Sequence, residues 1–340
     1  MLVQRIARPL HRGSGTFCKP SELQVRGEFK LPGWLDWAKW FPRHMYVGMK
    51  KMQARLVSVD CVIEVHDARI PLSGRNGDFL HQLYSIRPHI LLLNKVDLIS
   101  SKHRGAVEKI LQEEGVKHVL WTNCKQQRKR AILDLAQVVL DVIGRSPRYN
   151  RIVNDSYLVM VIGIPNVGKS SLINALRGQI LGKKAANPVG DKPGVTRHVL
   201  ERVKILENPP TYLLDTPGVL SPEAKDIETG MKLAVCNTIL ESNVGVNVIA
   251  DYLLHWLNRN QKFDYIDALR LPGATDNIQS FLLEVCRQFD LKKECRMPGE
   301  GLVLRPNYDY AADKFISLFR SSKLGDQFMD LDQLKLKNLS

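Results

Sequence analysis

No stretch of the 340 residues approaches the about 18 consecutive apolar residues of a membrane-spanning helix, which argues against a transmembrane segment. The longest apolar pieces, such as 158–164, have the length of buried strands. No CxxC pair occurs among Cys18, Cys61, Cys124, Cys236, Cys286 and Cys295, and no histidine stands near them at metal-binding spacing. A disulfide framework or a zinc site is therefore not expected; reduced thiols in an intracellular compartment fit better. Internal repeats and low-complexity runs are also absent. Finally, no acidic residue precedes Glu22.

The chain is longer than a typical single domain, and an apolar fraction of 44% is enough for a sizeable core, so two domains are expected. The net charge is +14, which points to a polyanionic partner. Residues 1–30 hold six basic residues (Arg5, Arg8, Arg12, Lys19, Arg26 and Lys30) against two acidic ones. Such a stretch reads as a mitochondrial transit peptide, or else as a disordered basic arm. Without it the charge is still +10 (14 minus 4), so the body itself is basic and nucleic acid or an RNA-rich particle is the favoured partner.

An aromatic cluster at Trp34, Trp37, Trp40 and Phe41 ends at Pro42, and Met45, Met49, Met52 and Leu56 then recur at helical spacing. Strands are predicted over 61–65, 89–93 and 116–122, with helices over 105–114 and 131–143 and a polar linker over 144–150. A strand over 157–162 runs into a helix from Lys169 to about Leu176. A loop over 181–198 and strands over 199–206 and 211–214 follow. This alternation predicts an α/β domain with a mostly parallel sheet flanked by helices. Beyond Pro222 the apolar residues take helical spacing, as in Ile278, Phe281, Leu282, Val285 and Phe289. The expected organisation is an arm over 1–30, an α/β domain over 31–222 and a small all-helical domain over 225–335.

Gly163-Ile164-Pro165-Asn166-Val167-Gly168-Lys169-Ser170 follows an apolar strand and opens a helix, the context a phosphate-binding P-loop requires. The glycines let the backbone turn tightly, so that successive N–H groups from Asn166 through Val167 and Gly168 to Ser171 face phosphates. Lys169 is expected to bridge the β- and γ-phosphates and the Ser170 hydroxyl to ligate Mg2+. Asp215-Thr216-Pro217-Gly218 ends another strand, with Asp215 on the Mg2+ side and the Gly218 N–H toward the γ-phosphate. Thr196, in Pro193-Gly194-Val195-Thr196-Arg197, is placed to add a hydroxyl to Mg2+ and to order its loop when GTP is bound. Asn94-Lys95-Val96-Asp97 decides the base. The Asp97 carboxylate accepts from N1–H and the exocyclic amine of guanine, a donor pair that adenine lacks, and Asn94 reaches the other edge. Asn123 and Cys124, at the next strand end, suit a loop closing over the base.

In ordinary GTPases the guanine-reading tetrapeptide follows the phosphate loop; here it comes first. In that order, and in Asp67-Ala68-Arg69-Ile70-Pro71-Leu72-Ser73 and Phe319-Arg320-Ser321-Ser322-Lys323-Leu324-Gly325, the chain resembles the circularly permuted GTPases of the YlqF/RbgA group over about residues 37–335. The resemblance implies a GTPase that hydrolyses GTP to GDP and phosphate as a switch and assists late assembly of the large ribosomal subunit. With the basic arm, the expected setting is the mitochondrial matrix and the expected partner the mitochondrial large subunit and its rRNA. A monomer away from the ribosome is expected, and peripheral contact with the inner membrane is left open. Val219 stands where Ras-like proteins carry a water-orienting glutamine. The resemblance points instead to His44, in Trp40-Phe41-Pro42-Arg43-His44-Met45, although Arg43 replaces the expected glycine and a lone histidine after proline is commonly structural. Asn166 matches an asparagine that binds K+ in related GTPases. Lys292, Lys293, Arg296 and Arg320 are candidate rRNA phosphate contacts, or a plain solvated face. Because Gly218 lies last in the permuted domain, the γ-phosphate loop is expected to lead within a few residues into the helical domain. Two rival readings stand: a GTP-binding scaffold with negligible hydrolysis, which Val219 favours, and an ATPase or nucleotide kinase, against which Asn94 and Asp97 speak.

Overall fold

The structure, a computed structural model, describes residues 17–35, 40, 52, 54–75, 87–126, 129–148, 151–182, 202–216, 218, 226–297 and 301–337. Continuous apolar runs mark strands covered on both faces. Cys61–Asp67 (β1) and His89–Asn94 (β2) are buried at every position, whereas Val119–Trp121 (β3) is half-buried. Tyr157–Ile162 (β4) is buried beyond its first residue, and Arg202–Leu206 (β5) and Thr211–Asp215 (β6) complete the set. The sheet order is β3-β2-β1-β4-β6-β5, with every pairing parallel except β5 against β6. The half-buried strands thus take the edges and the more deeply buried strands the centre.

Helices Arg104–Glu113 (α1), Lys129–Gly144 (α2) and Lys169–Leu181 (α3) connect these strands. On α1, Val107, Ile110 and Leu111 form the buried stripe and pack with Leu91, Leu93 and Ile99. Residues 145–156 join the half carrying Asn94 to the half carrying the phosphate loop, and buried Asp60 fastens that join. Its carboxylate accepts from Arg148 Nε at 3.1 Å, from Arg151 Nε at 2.8 Å and from the Leu158 N–H at 2.8 Å.

After β6 come Ile227–Val235 (α4), capped by Asp226 Oδ1 on the Thr229 N–H, and the short Glu241–Val244 (α5). The described chain then continues with Val246–Arg259 (α6), Asp264–Leu269 (α7), Ile278–Gln288 (α8), a hairpin of Lys292–Met297 (β7) and Gly301–Pro306 (β8), Tyr308–Arg320 (α9) and Leu331–Lys337 (α10). Two compact units result. One holds the six-stranded sheet and runs from Gly33 to Val244 and again from Asp326. The other joins the N-terminal segment up to Pro32 with 245–325. In that second unit Tyr265, Phe281 and Phe315 form an aromatic core, with the Phe281 and Phe315 rings 4.7 Å apart.

Several expectations need correction. Of the stretch 1–30, residues 17–30 are described, and they do not form a disordered arm. Cys18 exchanges backbone hydrogen bonds with Ala274, and the Arg26 guanidinium pairs with Asp251 at 2.8 Å and Asp276 at 2.9 Å. Local composition misses this because the acids lie 225 and 250 positions downstream. The boundary expected at 222/225 falls at Gly245, because α4 is buried from Thr229 to Val235 within the sheet unit. The γ-phosphate loop therefore does not lead directly into the second unit. Residues beyond Gly325 return to the sheet unit: Phe328 and Leu334 enter the core beside α1. Lastly, the helical region is not all helix, since β7 and β8 pair antiparallel. The apolar residues Leu302 and Leu304 of β8 are exposed, so no buried apolar face marks this hairpin.

Candidate nucleotide-binding site

The carboxyl ends of β1, β2, β4 and β6 converge at one edge of the parallel sheet, where open α/β sheets bind ligands. Asp67 lies opposite Asn94 across β1 and β2, and Asp215 opposite Val161 across β4 and β6. Strand β4 delivers the phosphate loop. Gly163 has φ +148° and a Cβ there would sit 2.3 Å from the Val65 carbonyl oxygen, so no side chain fits. The loop then opens α3, whose first N–H groups favour an anion.

Lys169 Nζ donates to the carbonyls of Gly163 at 3.0 Å and Ile164 at 2.9 Å, closing the loop over its own backbone. Burial pulls this ammonium down to about 8, against the opposing pull of Asp215. The Ser170 hydroxyl donates to Asp215 Oδ2 at 3.3 Å. These are hard oxygen donors, a set that fits Mg2+ held beside phosphates. Half-buried Ser171 follows on α3. The Thr216 hydroxyl donates to the Val161 carbonyl at 2.7 Å, which anchors the end of β6 to β4. Gly218 lies against the phosphate loop: a Cβ there would meet Pro165 at 2.8 Å.

Asn94 joins the two halves of the site. Its Nδ2 donates to the Val167 carbonyl of the phosphate loop at 2.7 Å, and its Oδ1 accepts from the Cys124 N–H at 2.9 Å. One proton of Nδ2 remains for an acceptor on a base edge. Asn123 Oδ1 accepts from the N–H groups of Lys125 and Gln126, which turns the 122–126 loop. The Cys124 thiol is pushed up to about 12 by burial and stays protonated. Asp97 sits exposed on the 3-10 turn Val96–Leu98. Lys95, in the left-handed region at φ 63°, reaches back so that Nζ pairs with Asp67 Oδ2 at 2.9 Å.

Asp67 and Arg69, whose motif carries no chemical role by itself, stand directly behind the 94–97 loop. Arg69 grips the Asp67 carboxylate through Nε at 2.9 Å and Nη2 at 2.7 Å. Burial alone would raise the Asp67 pKa, but Arg69 and Lys95 outweigh it and hold this carboxyl well below the usual range. Arg69 Nη2 also donates to the Cys236 carbonyl just beyond α4. The neighbouring Asn237 carbonyl accepts from Asn166 Nδ2 at 2.9 Å. The end of α4 is thus tied to both the base half and the phosphate half. The Asp-Ala-Arg tripeptide was the available signal for the first tie; nothing local marks Asn237. His44, Thr196 and Val219 lie outside the described residues.

Residues 158–285 match the family described as 50S ribosome-binding GTPase. Over 298 residues the chain is 48% identical to Mitochondrial ribosome-associated GTPase 1 of Ictalurus punctatus, covering 86% of this chain and 92% of that protein. Identity to Mitochondrial ribosome-associated GTPase 1 of Bos taurus is 45% over 323 residues, 94% of this chain and 96% of that protein. Ribosome biogenesis GTPase A of Bacillus pumilus (strain SAFR-032) is 30% identical over 287 residues, 84% of this chain and 96% of that protein. With the Asn94 loop bonded to the phosphate-loop motif at the sheet edge, and relatives of this identity along nearly the whole length, the chain belongs to the mitochondrial ribosome-associated GTPase 1 family of circularly permuted GTPases.

Proposed function

We propose that this GTPase works in mitochondria on the ribosome, assisting late assembly of the large subunit in the matrix. The observation that carries this reading is 45–48% identity, along most of both chains, to proteins named for the mitochondrion and the ribosome. The bacterial relative named for ribosome biogenesis supports assembly over translation. A body with about ten excess positive charges supports salt-sensitive attraction to rRNA. Away from the ribosome the protein is proposed to be a monomer.

In the reaction, a water attacks the γ-phosphorus of GTP in line with the bond to the β–γ bridging oxygen; that bond breaks, leaving GDP and phosphate. Lys169 would leave the carbonyls of Gly163 and Ile164 for the β- and γ-phosphate oxygens, trading two backbone partners for charged ones. Ser170, Asp215 and Thr196 would hold Mg2+, which supplies positive charge against the phosphates. Asn166 would hold K+; its nitrogen already donates to Asn237, which orients the carboxamide. His44 is the proposed water-positioning group, since Val219 has no polar atom to offer. Residues 181–198 and the loop after Gly218 would order around GTP and release on hydrolysis.

The test is single-turnover hydrolysis in K+ buffer with isolated mitochondrial large subunits, small subunits or neither. Large subunits alone should accelerate the reaction. If they give no acceleration, the assembly switch is wrong and a nucleotide-holding scaffold replaces it.

A further inference from the structure

The guanine-reading loop has few backbone bonds of its own. Across 95–100, Val96 N–H donates to the Thr122 carbonyl, Leu98 N–H to the Lys95 carbonyl, and the Ser100 carbonyl accepts from the His103 N–H. Two further bonds come from the C-terminal stretch that returns to the sheet unit. Gln327 N–H donates to the Leu98 carbonyl at 3.1 Å, and Asp326 Oδ1 accepts from the Ser100 N–H at 3.0 Å. Leu98 adjoins Asp97, so the residue next to the base-reading carboxylate is pinned by the strap 326–330.

The strap reaches the other side of Asp97 as well. Gln327 Oε1 accepts from Arg69 Nη1 at 3.3 Å, Arg69 grips Asp67, and Asp67 holds Lys95. The Met329 N–H donates to the Arg69 carbonyl at 2.8 Å. The strap is itself firmly seated. Asp326 Oδ2 pairs with His103 at 2.7 Å, whose ring stacks on Phe328 at 4.3 Å. Asp330 Oδ2 accepts from the N–H groups of Leu72 and Ser73, and Asp330 Oδ1 pairs with buried Lys232. Gln327, Phe328, Met329 and Asp330 are all fully buried.

We infer that the strap 326–330 positions the guanine-reading loop, so that retention of GDP and GTP depends on the C-terminal end of the chain. This rests on the guanine site at Asp97. Asp326 and Gln327 act as positioning residues, through the loop and through Arg69. In sequence the strap follows Gly325, the last residue of the second unit, so the segment that braces base recognition is continuous with that unit.

The experiment uses the full chain with Asp326→Ala and Gln327→Ala, and reads release of a fluorescent GDP analogue together with hydrolysis at saturating GTP. Release should quicken about tenfold, the equivalent of about 1.4 kcal/mol, with KM rising and kcat little changed. Arg26→Ala, which breaks two ion pairs in the second unit, should leave release unaltered and so controls for general loosening. Release within twofold of the parent in both strap variants overturns the inference. If the variants do not fold, amide exchange on the unaltered protein decides. GDP should slow exchange at Leu98 and Ser100 and also at Gln327 and Met329, by reciprocity of coupling. Protection confined to the phosphate loop and base loop overturns the inference. If GDP protects neither, the guanine-site assignment itself has failed.

Discussion

Gly168→Ala is the substitution whose cost the geometry states most directly. Gly168 sits at φ +105°, and an alanine Cβ there would lie 2.2 Å from Asn94 Nδ2. The left-handed backbone alone costs an L-residue about 1–2 kcal/mol. Relieving the clash requires Asn94 to withdraw, which breaks its bonds to the Val167 carbonyl and the Cys124 N–H. Each buried backbone group so orphaned costs about 1–3 kcal/mol, for a total of roughly 3–8 kcal/mol. Nucleotide binding must restore the parent geometry, so GDP affinity should fall at least about a hundredfold. Titration calorimetry with GDP measures this, and a thermal melt in the same buffer shows that the variant is folded. Gly182→Ala is the control: its φ is also positive, at +63°, but the space around a Cβ is open. It should lose about 1 kcal/mol of stability and bind GDP normally. If Gly168→Ala binds GDP within threefold of the parent, the junction through Asn94 does not hold the two loops.

Lys169, lowered to about 8 by burial, gains phosphate neighbours on binding, so its pKa rises in the complex. Binding should take up a proton between about pH 8 and 10.5, and GTP affinity should fall as pH climbs through that window; calorimetry in buffers of different ionisation heat checks it. Glu64, buried in β1, bonds His66 at 2.6 Å and His89 at 2.8 Å. Burial would raise Glu64 but the two histidines hold it below its usual range, while burial lowers His89 despite Glu64. Both signs agree, because the unfolded chain binds the protons the folded chain refuses. Stability should be full above about pH 6.5 and decline in two steps, below about 6.5 and again below about 4.5, in urea midpoints taken from pH 8 to 4. A flat profile to pH 5 would contradict this. Lys232→Met should cost about 3–5 kcal/mol by stranding buried Asp330 and its neighbour Asp332, and adding Asp330→Asn should recover part of the loss in denaturant melts.

The sheet strands were legible because central parallel strands read as largely apolar runs, though Glu64 interrupts β1, and the predicted 157–162 matches β4 to the residue. The phosphate loop was legible for a different reason: its function depends on backbone shape, and that demands glycine at fixed positions such as 163 and 168. The sequence motif marked Asn94 as a candidate base-reading residue but not as the bond between the two halves, since Val167 lies 73 positions away. The strap was missed outright. Asp326, Gln327 and Asp330 carry no pattern beyond a short polar stretch, and their partners sit near residues 69–73 and 98–103.

The sequence by itself determined the chemistry. A permuted order of motifs named the ligand and announced that the domain had been opened at a new place, because motifs expected to cradle phosphate and read guanine are short, local and chemically constrained. Only the tertiary structure decided where the units divide and which residues brace the site. Long-range pairs did that: Arg26 with Asp251 and Asp276, Lys232 with Asp330, Gln327 with Arg69. Such pairs are set by burial and charge balance between segments far apart in the chain, and no local spacing encodes them.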